Sequence, residues 1–194
     1  MAMSLVVGIA SSATAAVKVT EHALGFSFSL PAHWKVIPLH AKDVTQLLNA
    51  ATKSDPALTG ALTKEIRQAA QQGVKVFAVA PVLMHTNPNL NIIVESSAGV
   101  PTGAAFFVQG GATIKRELAS SGFSHVKVSD VTGGFGKVIQ VTYQIKSALT
   151  GQVVHGVQFY VRHTTRFYII TTTAPTSAYA SSVSNGVATS WHWS

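Results

Sequence analysis

The chain has 194 residues, of which 47% are hydrophobic and 11% are charged, and 14 Lys and Arg against 7 Asp and Glu give a formal net charge of +7. That length suits one domain with a sizeable core and is short for two. The absence of cysteine excludes disulfides, thiol nucleophiles, cysteine-ligated metals and a lipidated cysteine. The cations are scattered, with only Lys115 and Arg116 adjacent, and no nucleic-acid-binding motif accompanies them. Nucleic-acid binding is therefore not predicted, and the excess charge is interpreted as a solvated basic surface.

Residues 1–16 have the pattern of a secretory signal peptide. An apolar stretch is followed by small residues, and Ala13-Thr14-Ala15 fits the A-x-A pattern before a signal-peptidase cut. The first cation is Lys18, beyond that cut, so a truncated start or a merely disordered end is the alternative. We expect export from a bacterial cell and a single mature domain over 17–194. The apolar stretch is far shorter than the ~20 residues of a spanning helix, and no transmembrane segment is predicted.

The first elements of the domain are predicted to be short strands. Residues 17–20 form a candidate strand, and 25–30 alternate apolar and polar residues with period two before a proline. Residues 34–37 form another candidate strand. Because a turn-forming stretch at 31–33 lies between these last two, a hairpin is predicted there.

Four helices are predicted. Residues 42–52 carry apolar residues at helical spacing, and a second helix begins at Asp55-Pro56 and ends at Gly73. A third covers 102–121, where Gly110-Gly111 costs ~1 kcal/mol per glycine and suggests close approach to a sheet or a local break. A fourth closes the chain over 177–193, with every third or fourth residue apolar.

The remaining apolar segments are predicted strands, at 74–80, 91–95, 126–131, 135–146, 153–163 and 166–173. The last two form the densest run of β-branched and aromatic residues, turning at Thr164-Thr165. Four consecutive strands with short connections favour an antiparallel meander. In the predicted hairpin, one face carries Tyr160, Arg162, Phe167 and Ile169, and the other carries Phe159, Val161, Tyr168 and Ile170.

These elements predict an α+β fold with a central antiparallel sheet of about six to seven strands flanked by helices on both sides. Ten residues are predicted in or at the core: Phe28, Trp34, Leu62, Ile66, Phe107, Ile114, Val141, Tyr143, Phe159 and Val161.

Candidate catalytic and metal-binding residues do not form a recognisable pattern. His155 and His163 share a strand face but are ~27 Å apart along it, too far to bind one ion. The seven acids are singletons in the sequence, and there is no nucleophile elbow, phosphate-binding loop or dinucleotide fingerprint. No metal, cofactor or catalytic residue is therefore predicted. Carboxylates that converge only in the fold would still permit a hydrolase.

Four residues are candidates for a partner surface. Tyr160 and Arg162 lie on one face of the predicted hairpin, while Trp191 and Trp193 flank His192 at the C-terminus. Tryptophan is enriched at binding hot spots. The alternatives are a hairpin covered on both sides, and a terminus in which Trp191 docks into the core while Trp193 frays.

Three stretches resemble PsbP-like proteins. Residues 25–34 (GFSFSLPAHW) resemble the opening G-F-S-x-x-x-P-x-x-W hairpin of that family, and 89–94 (NLNIIV) its N-x-N-V-x-V strand. Residues 158–161 (QFYV) and 166–171 (RFYIIT) look like its closing hairpin. With the order of elements, the resemblance extends from Phe26 to the C-terminus.

The resemblance implies a central antiparallel sheet with helices on both sides. It also implies a binding or scaffolding role, because the family includes a photosystem extrinsic subunit, a nuclear-transport factor that binds a small GTPase, secretion-effector chaperones and actinobacterial exported proteins or lipoproteins of the LpqN type. The photosystem members' metal and docking residues have no matching motif here, and the lipoproteins' cysteine is missing.

We therefore predict a non-catalytic, extracytoplasmic binding or scaffolding protein that recognises a protein partner or a small apolar ligand. Three alternatives stay open: a hydrolase, a cytosolic chaperone of secreted effectors, and a binder of anionic envelope polymer. The sequence does not predict the oligomeric state.

Overall fold

The computed structural model describes residues 15–37, 39, 64, 66–80, 88–147 and 151–194. Every structural statement below concerns these residues. The predicted signal peptide, the helix over 42–52, the start of the second helix and the core position Leu62 lie outside the described residues.

The described elements are ten strands and three helices. The strands are β1 (Val17–Glu21), β2 (Phe26–Leu30), β3 (Lys35–Ile37), β4 (Val74–Val79), β5 (Asn89–Ser96), β6 (Ser124–Gly133), β7 (Gly136–Lys146), β8 (Val153–His163), β9 (Arg166–Ala174) and β10 (His192–Trp193). Helix α1 is described over 66–71. Helix α2 has α-helical parts at Gly103–Ala105 and Gly111–Ser120 joined by a π-helical stretch at Phe106–Gly110, and α3 is Ser177–Ser190.

Seven strands form the central sheet, in the order β3-β4-β5-β9-β8-β7-β6, and every neighbouring pair is antiparallel. The predicted meander is confirmed, because β6 to β9 follow one another across the sheet. The predicted hairpin register is also confirmed, since Tyr160 pairs with Ile169 and Val161 with Tyr168. The structure is therefore the α+β fold that the sequence predicts.

A second, three-stranded sheet, β1-β2-β10, was not predicted. The hairpin predicted between 25–30 and 34–37 is wrong, because β2 pairs with β1 and β10 while β3 pairs with β4 in the central sheet. Between them His33 adopts φ 69°, and the chain crosses from one sheet to the other. Trp34 is buried at this crossing. The predicted turn does form at residues 32–33, but it carries the chain from the small sheet to the central sheet instead of closing a hairpin.

One surface of the central sheet, the α3 face, packs against the small sheet and α3. Its buried cluster contains alternate residues of β8 and β9, such as Phe159 and Ile170, together with Phe26 and Phe28 of β2 and Val187 of α3. This cluster joins both sheets and the C-terminal helix into one core. Its burial removes apolar surface from water, which is the main stabilising contribution.

The opposite surface, the α2 face, packs against α1 and α2. Ile66 of α1 is buried beside Phe77 of β4. Phe106 of α2 is buried with Val141, Tyr143 and other residues of the meander. Helices therefore cover both sides of the sheet. All of the described core predictions are buried except Phe107 and Ile114, which are half-buried and pack against the cluster under α2.

The two glycines in α2 lie where the helix approaches the sheet. A Cβ built at Gly111 would lie 3.2 Å from Val128 Cγ1, and one at Gly110 would lie 3.4 Å from Ile139 Cδ1. The sequence predicted close approach or a local break. The structure contains both, because the π-helical stretch ends at Gly110.

Helix α3 is shorter than predicted. Its N-cap, Thr176, accepts a hydrogen bond from the Tyr179 backbone N–H, and it ends at Ser190 instead of 193. The Ser29 N–H of β2 donates to Ser190 Oγ at 2.9 Å, and the Gly134 N–H donates to the Ala188 carbonyl at 2.7 Å. Residues outside the helix thus form hydrogen bonds with its last turn, and the chain continues after Ser190 into strand β10.

Candidate functional site

Two of the four predicted partner residues, Arg162 and Trp193, lie around the turn of the β8–β9 hairpin, here called the hairpin tip and defined as residues 162–167 with Trp193. The turn contains Thr164 at φ 50°. The loop after β5 supports it: the Ser97 N–H donates to the Thr165 carbonyl at 2.9 Å, and Ser97 Oγ donates to the Thr164 carbonyl at 3.3 Å. Ser97 is itself buried. The turn is therefore held in place by two hydrogen bonds from Ser97.

Tyr160 lies beneath the tip on the α2 face and is buried, with 8% of its surface exposed. Its hydroxyl donates to Gln158 Oε1 at 2.9 Å, and Gln158 Nε2 donates to Thr171 Oγ1 at 3.0 Å. Burial, with a smaller contribution from the charge of Glu117, raises the pKa of Tyr160 to about 12. The phenol is thus a neutral hydrogen-bond donor that orders the sheet, not a surface contact.

Arg162 is exposed on the same face. It pairs across the hairpin with Phe167, whose ring lies 6.2 Å from that of Tyr160 and 6.2 Å from that of Phe106. The backbone of Arg162 is therefore fixed opposite a packed aromatic residue. Because arginine offers five donors in a planar fork, it can bind a carboxylate or a backbone carbonyl of a partner.

Trp191 lies in the core. Its ring stacks on Phe28 with centroids 5.4 Å apart and on Phe26 at 4.5 Å, and only 1% of its surface is exposed. Trp191 therefore docks into the core, as one alternative from the sequence predicted. Its side chain does not contribute to a partner surface. The physical reason is that α3 ends at Ser190, the residue before Trp191, so that Trp191 turns toward β2.

Trp193 is held at the surface by its neighbours. It pairs with Phe26 as part of β10, and the following Ser194 N–H donates to the Gly25 carbonyl at 3.0 Å. Its ring stacks on His163 with centroids 3.9 Å apart and 4° between planes, and it lies 5.2 Å from the Tyr168 ring. Trp193 is half-buried and ordered, so it does not fray.

Two further hydrogen bonds fasten the tip to the small sheet. Arg166 Nη1 donates to the Ala23 carbonyl at 3.2 Å, and the Tyr168 hydroxyl donates to the Leu24 carbonyl at 3.1 Å. The β1–β2 turn, the C-terminus and the hairpin tip therefore meet at one end of the molecule. The exposed or half-buried groups at this end include an indole, an imidazole, two guanidinium groups and two carboxylates, those of Glu21 opposite Phe26 and Glu95 opposite Phe167.

No group of three or more His, Asp or Glu side chains in the described part of the chain could hold a metal ion. His163 is stacked on Trp193, Glu95 lies opposite Phe167, and Asp130 of β6 forms a salt bridge with Lys137 at 3.1 Å. The arrangement can bind a partner through stacking, hydrogen bonds and charge.

Two solved structures resemble this one over most of the chain. The cyanobacterial PsbP of Synechocystis sp. PCC 6803 has a TM-score of 0.50 and 13% identity, and the match covers 97% of each chain. The chain has a PsbP-like fold. LpqN of Mycobacterium tuberculosis, whose structure is described as involved in cell envelope biogenesis, also has a TM-score of 0.50, with 11% identity over 92% of this chain and 90% of that one. No family model matches the sequence, and no curated protein is similar to it.

In this PsbP-like fold, sequence reasoning missed the contribution of His163 and of the C-terminal strand. The signal was present, because Trp191-His192-Trp193 alternates apolar and polar residues as a strand does. It was assigned to a helix because the preceding residues have helical spacing. Within the described residues, no helix is long and apolar enough to cross a membrane.

Proposed function

We propose that this chain is a non-catalytic binding protein that works outside the cytoplasm and docks a protein partner on the hairpin tip. The observation that carries the proposal is the state of Trp193. Its indole is half-buried and stacked flat on His163. The backbone on either side of it is held in place, because His192 pairs with Ser27 and the Ser194 N–H donates to the Gly25 carbonyl. Arg162 is exposed on the other side of the same turn.

A surface of this kind suits protein recognition for two reasons. Tryptophan and arginine are the residue types that most often dominate interface energies. Ordering a mobile side chain on binding costs about 0.5–1.5 kcal/mol, and a side chain already held in place avoids most of that cost. The indole of Trp193 is therefore held in place before a partner arrives.

The location outside the cytoplasm is supported by the pattern of residues 1–16, with small residues at Ala13 and Ala15. It is further supported by the likeness in fold to LpqN, a protein involved in cell envelope biogenesis. N-terminal sequencing of the protein from its native host tests the location. Export predicts a mature chain that starts near Ala16, and recovery of intact Met1 from the cytoplasm would overturn it.

The partner surface is tested by capture from native envelope extract. Wild-type protein on a resin is compared with Trp193→Ala, Arg162→Ala and a control, Val153→Ala, which removes an exposed apolar side chain from the start of β8, at the opposite end of the hairpin. We expect the same proteins to be retained by wild type and control, and lost by both tip variants.

Washes at low and high salt separate this proposal from binding of an anionic envelope polymer. A partner held by the indole should survive high salt, whereas a polymer held by scattered lysines should not, since exposed charges are screened within ~10 Å at 0.1 M salt. Equal retention by the tip variants and the control would refute docking at the tip.

A further inference from the structure

Among the described residues, the outer edge of β6 is unpaired, and it is a second surface with binding potential. β6 is the last strand of the central sheet, and in the described chain its strand partner is β7 alone. It has 10 residues, against a usual strand length of about 5–6. In an antiparallel ladder every second residue directs its N–H and C=O away from the paired neighbour. The outer side of β6 therefore presents backbone groups that another strand could pair with.

Only part of this edge is protected. The register shifts between Ser124 and Lys127, and His125 adopts φ 53°, so the first residues of the strand are bulged. From Lys127 to Gly133 the register with β7 is regular. This stretch contains no proline, and its one acid, Asp130, is already bound to Lys137. Residues 127–133 therefore form a proline-free edge in regular register, whose charged residues are Lys127 and the paired Asp130.

Helix α2 places a lysine beside this edge on the α2 face. Gly111 lies against Val128 of β6, while the charge of Glu117 acts on Tyr160 of β8. The helix is therefore oriented with its Gly111 side toward the edge. Lys115 comes one turn after Gly111, so it lies on that same side, and it is exposed.

A second lysine lies on the opposite face of the edge. Lys127 pairs with Thr142, a position on the α3 face, and it too is exposed. The edge thus has a cation on each face, and its acid is neutralised by Lys137. A strand added to this edge directs successive side chains to opposite faces. Acidic side chains on both faces of an incoming strand would therefore meet Lys115 and Lys127.

The same charges disfavour a second copy of this chain at the edge. Antiparallel pairing of two β6 strands about Val128 would place both Lys127 side chains on one face of the joined sheet, as near neighbours. Like charges in that position oppose pairing. In this register the two lysines therefore oppose self-association.

We infer that the free edge of β6 is a docking site for an extended, acidic segment of a partner protein, which adds to the central sheet as an eighth strand. This site is separate from the hairpin tip and does not depend on it. Main-chain pairing with 127–133 supplies the affinity, and the two lysines supply the preference for acidic segments.

The test is a titration of the ¹⁵N-labelled full chain with the heptapeptide Thr-Glu-Val-Glu-Glu-Val-Thr, up to millimolar concentration, followed by NMR. Two control peptides carry Lys in place of each Glu, or Pro in place of the central Glu, which cannot pair fully as a strand. We expect the acidic peptide to shift the amide signals of 124–133 and to slow hydrogen exchange at alternate residues there. Neither control peptide should do so.

Matched protein variants test the charges. Lys115→Glu with Lys127→Glu should weaken binding of the acidic peptide about tenfold, because two exposed ion pairs become repulsions. The control, Lys18→Glu with Lys75→Glu, changes the net charge equally at two exposed lysines on other strands and should change the affinity less than twofold. Trp193→Ala should leave this affinity unchanged, so failure of the tip proposal would not affect the result.

Three outcomes would overturn the inference. One is the absence of any shift in 124–133 at millimolar acidic peptide. Another is equal binding of the acidic and basic peptides. The third is concentration-dependent dimerisation through β6 in the peptide-free protein, which would assign the edge to a second copy.

Discussion

The contact between Gly156 and Tyr143 gives a sharp test of the packing on the α2 face. The two residues are directly opposite each other on β8 and β7. The Tyr143 ring lies across the glycine, so a Cβ at position 156 would overlap that ring. Tyr143 is buried, and its ring meets Phe123 edge-on at 4.8 Å. Gly156→Ala therefore forces the tyrosine out of its place.

The cost follows from the size of that displacement. Overpacking a well-packed core typically costs about 1–3 kcal/mol, and moving the ring also loosens its contact with Phe123. We expect Gly156→Ala to lower the free energy of unfolding by about 3 kcal/mol. Tyr143→Ala alone should cost about 3–5 kcal/mol, as large aromatic truncations do.

The double variant separates this explanation from a general intolerance of alanine. Without the ring, Gly156→Ala has room and removes a flexible glycine from a strand, which should make it neutral or stabilising by up to about 1 kcal/mol. Urea unfolding of the four proteins measures the cycle. Gly186→Ala on α3 serves as control, because a Cβ there has nothing within 4 Å, and should stabilise by about 0.5–1 kcal/mol. An equal cost of Gly156→Ala with and without Tyr143 would refute the reasoning.

Three further predictions concern single contacts. Thr176→Ala removes the side-chain cap of α3 and should cost about 1 kcal/mol in thermal or urea unfolding, whereas Thr176→Ser should cost little. Asp130→Asn breaks the salt bridge to Lys137, and because both side chains are substantially exposed (40% and 57%) we expect a change below about 0.5 kcal/mol in the same assay. Burial raises the pKa of Tyr143 above its usual value and that of Tyr160 to about 12. The stability linked to these neutral phenols is therefore complete below pH 10 and falls as the pH rises toward 12. In an absorbance titration near 295 nm, Tyr160→Phe should remove one late-titrating phenol, and ionisation of the Tyr160 phenol near pH 10 would contradict its burial.

Local patterns predicted much of the central sheet. The alternation over 135–146 identified Val141 and Tyr143 as buried, and the short turn at Thr164-Thr165 was enough to set the register of β8 and β9. These features depend on neighbours in the sequence, where period and turn length carry the information. For the same reason the close approach of α2 could be inferred from its paired glycines.

Long-range pairing was not predictable in the same way. β2 pairs with a two-residue strand at the far end of the chain, and nothing in the sequence near Phe26 indicates that partner. The error over the β2–β3 hairpin has the same origin, since turn-forming residues do not specify which sheet the next strand joins. The hairpin tip depends on this pairing, because Trp193 reaches His163 only through β10. The rigid indole therefore became visible only in the structure.

The most direct test of docking at the hairpin tip is site-specific photo-crosslinking in the native host. A photoreactive amino acid is placed at Arg162, or at Val153 as a control at the start of the same strand. We predict a discrete crosslinked adduct with an envelope protein from position 162, its loss when Trp193→Ala is added, and no such adduct from position 153. The same adduct from both positions, or an adduct at 162 that survives the loss of Trp193, would contradict docking at the tip.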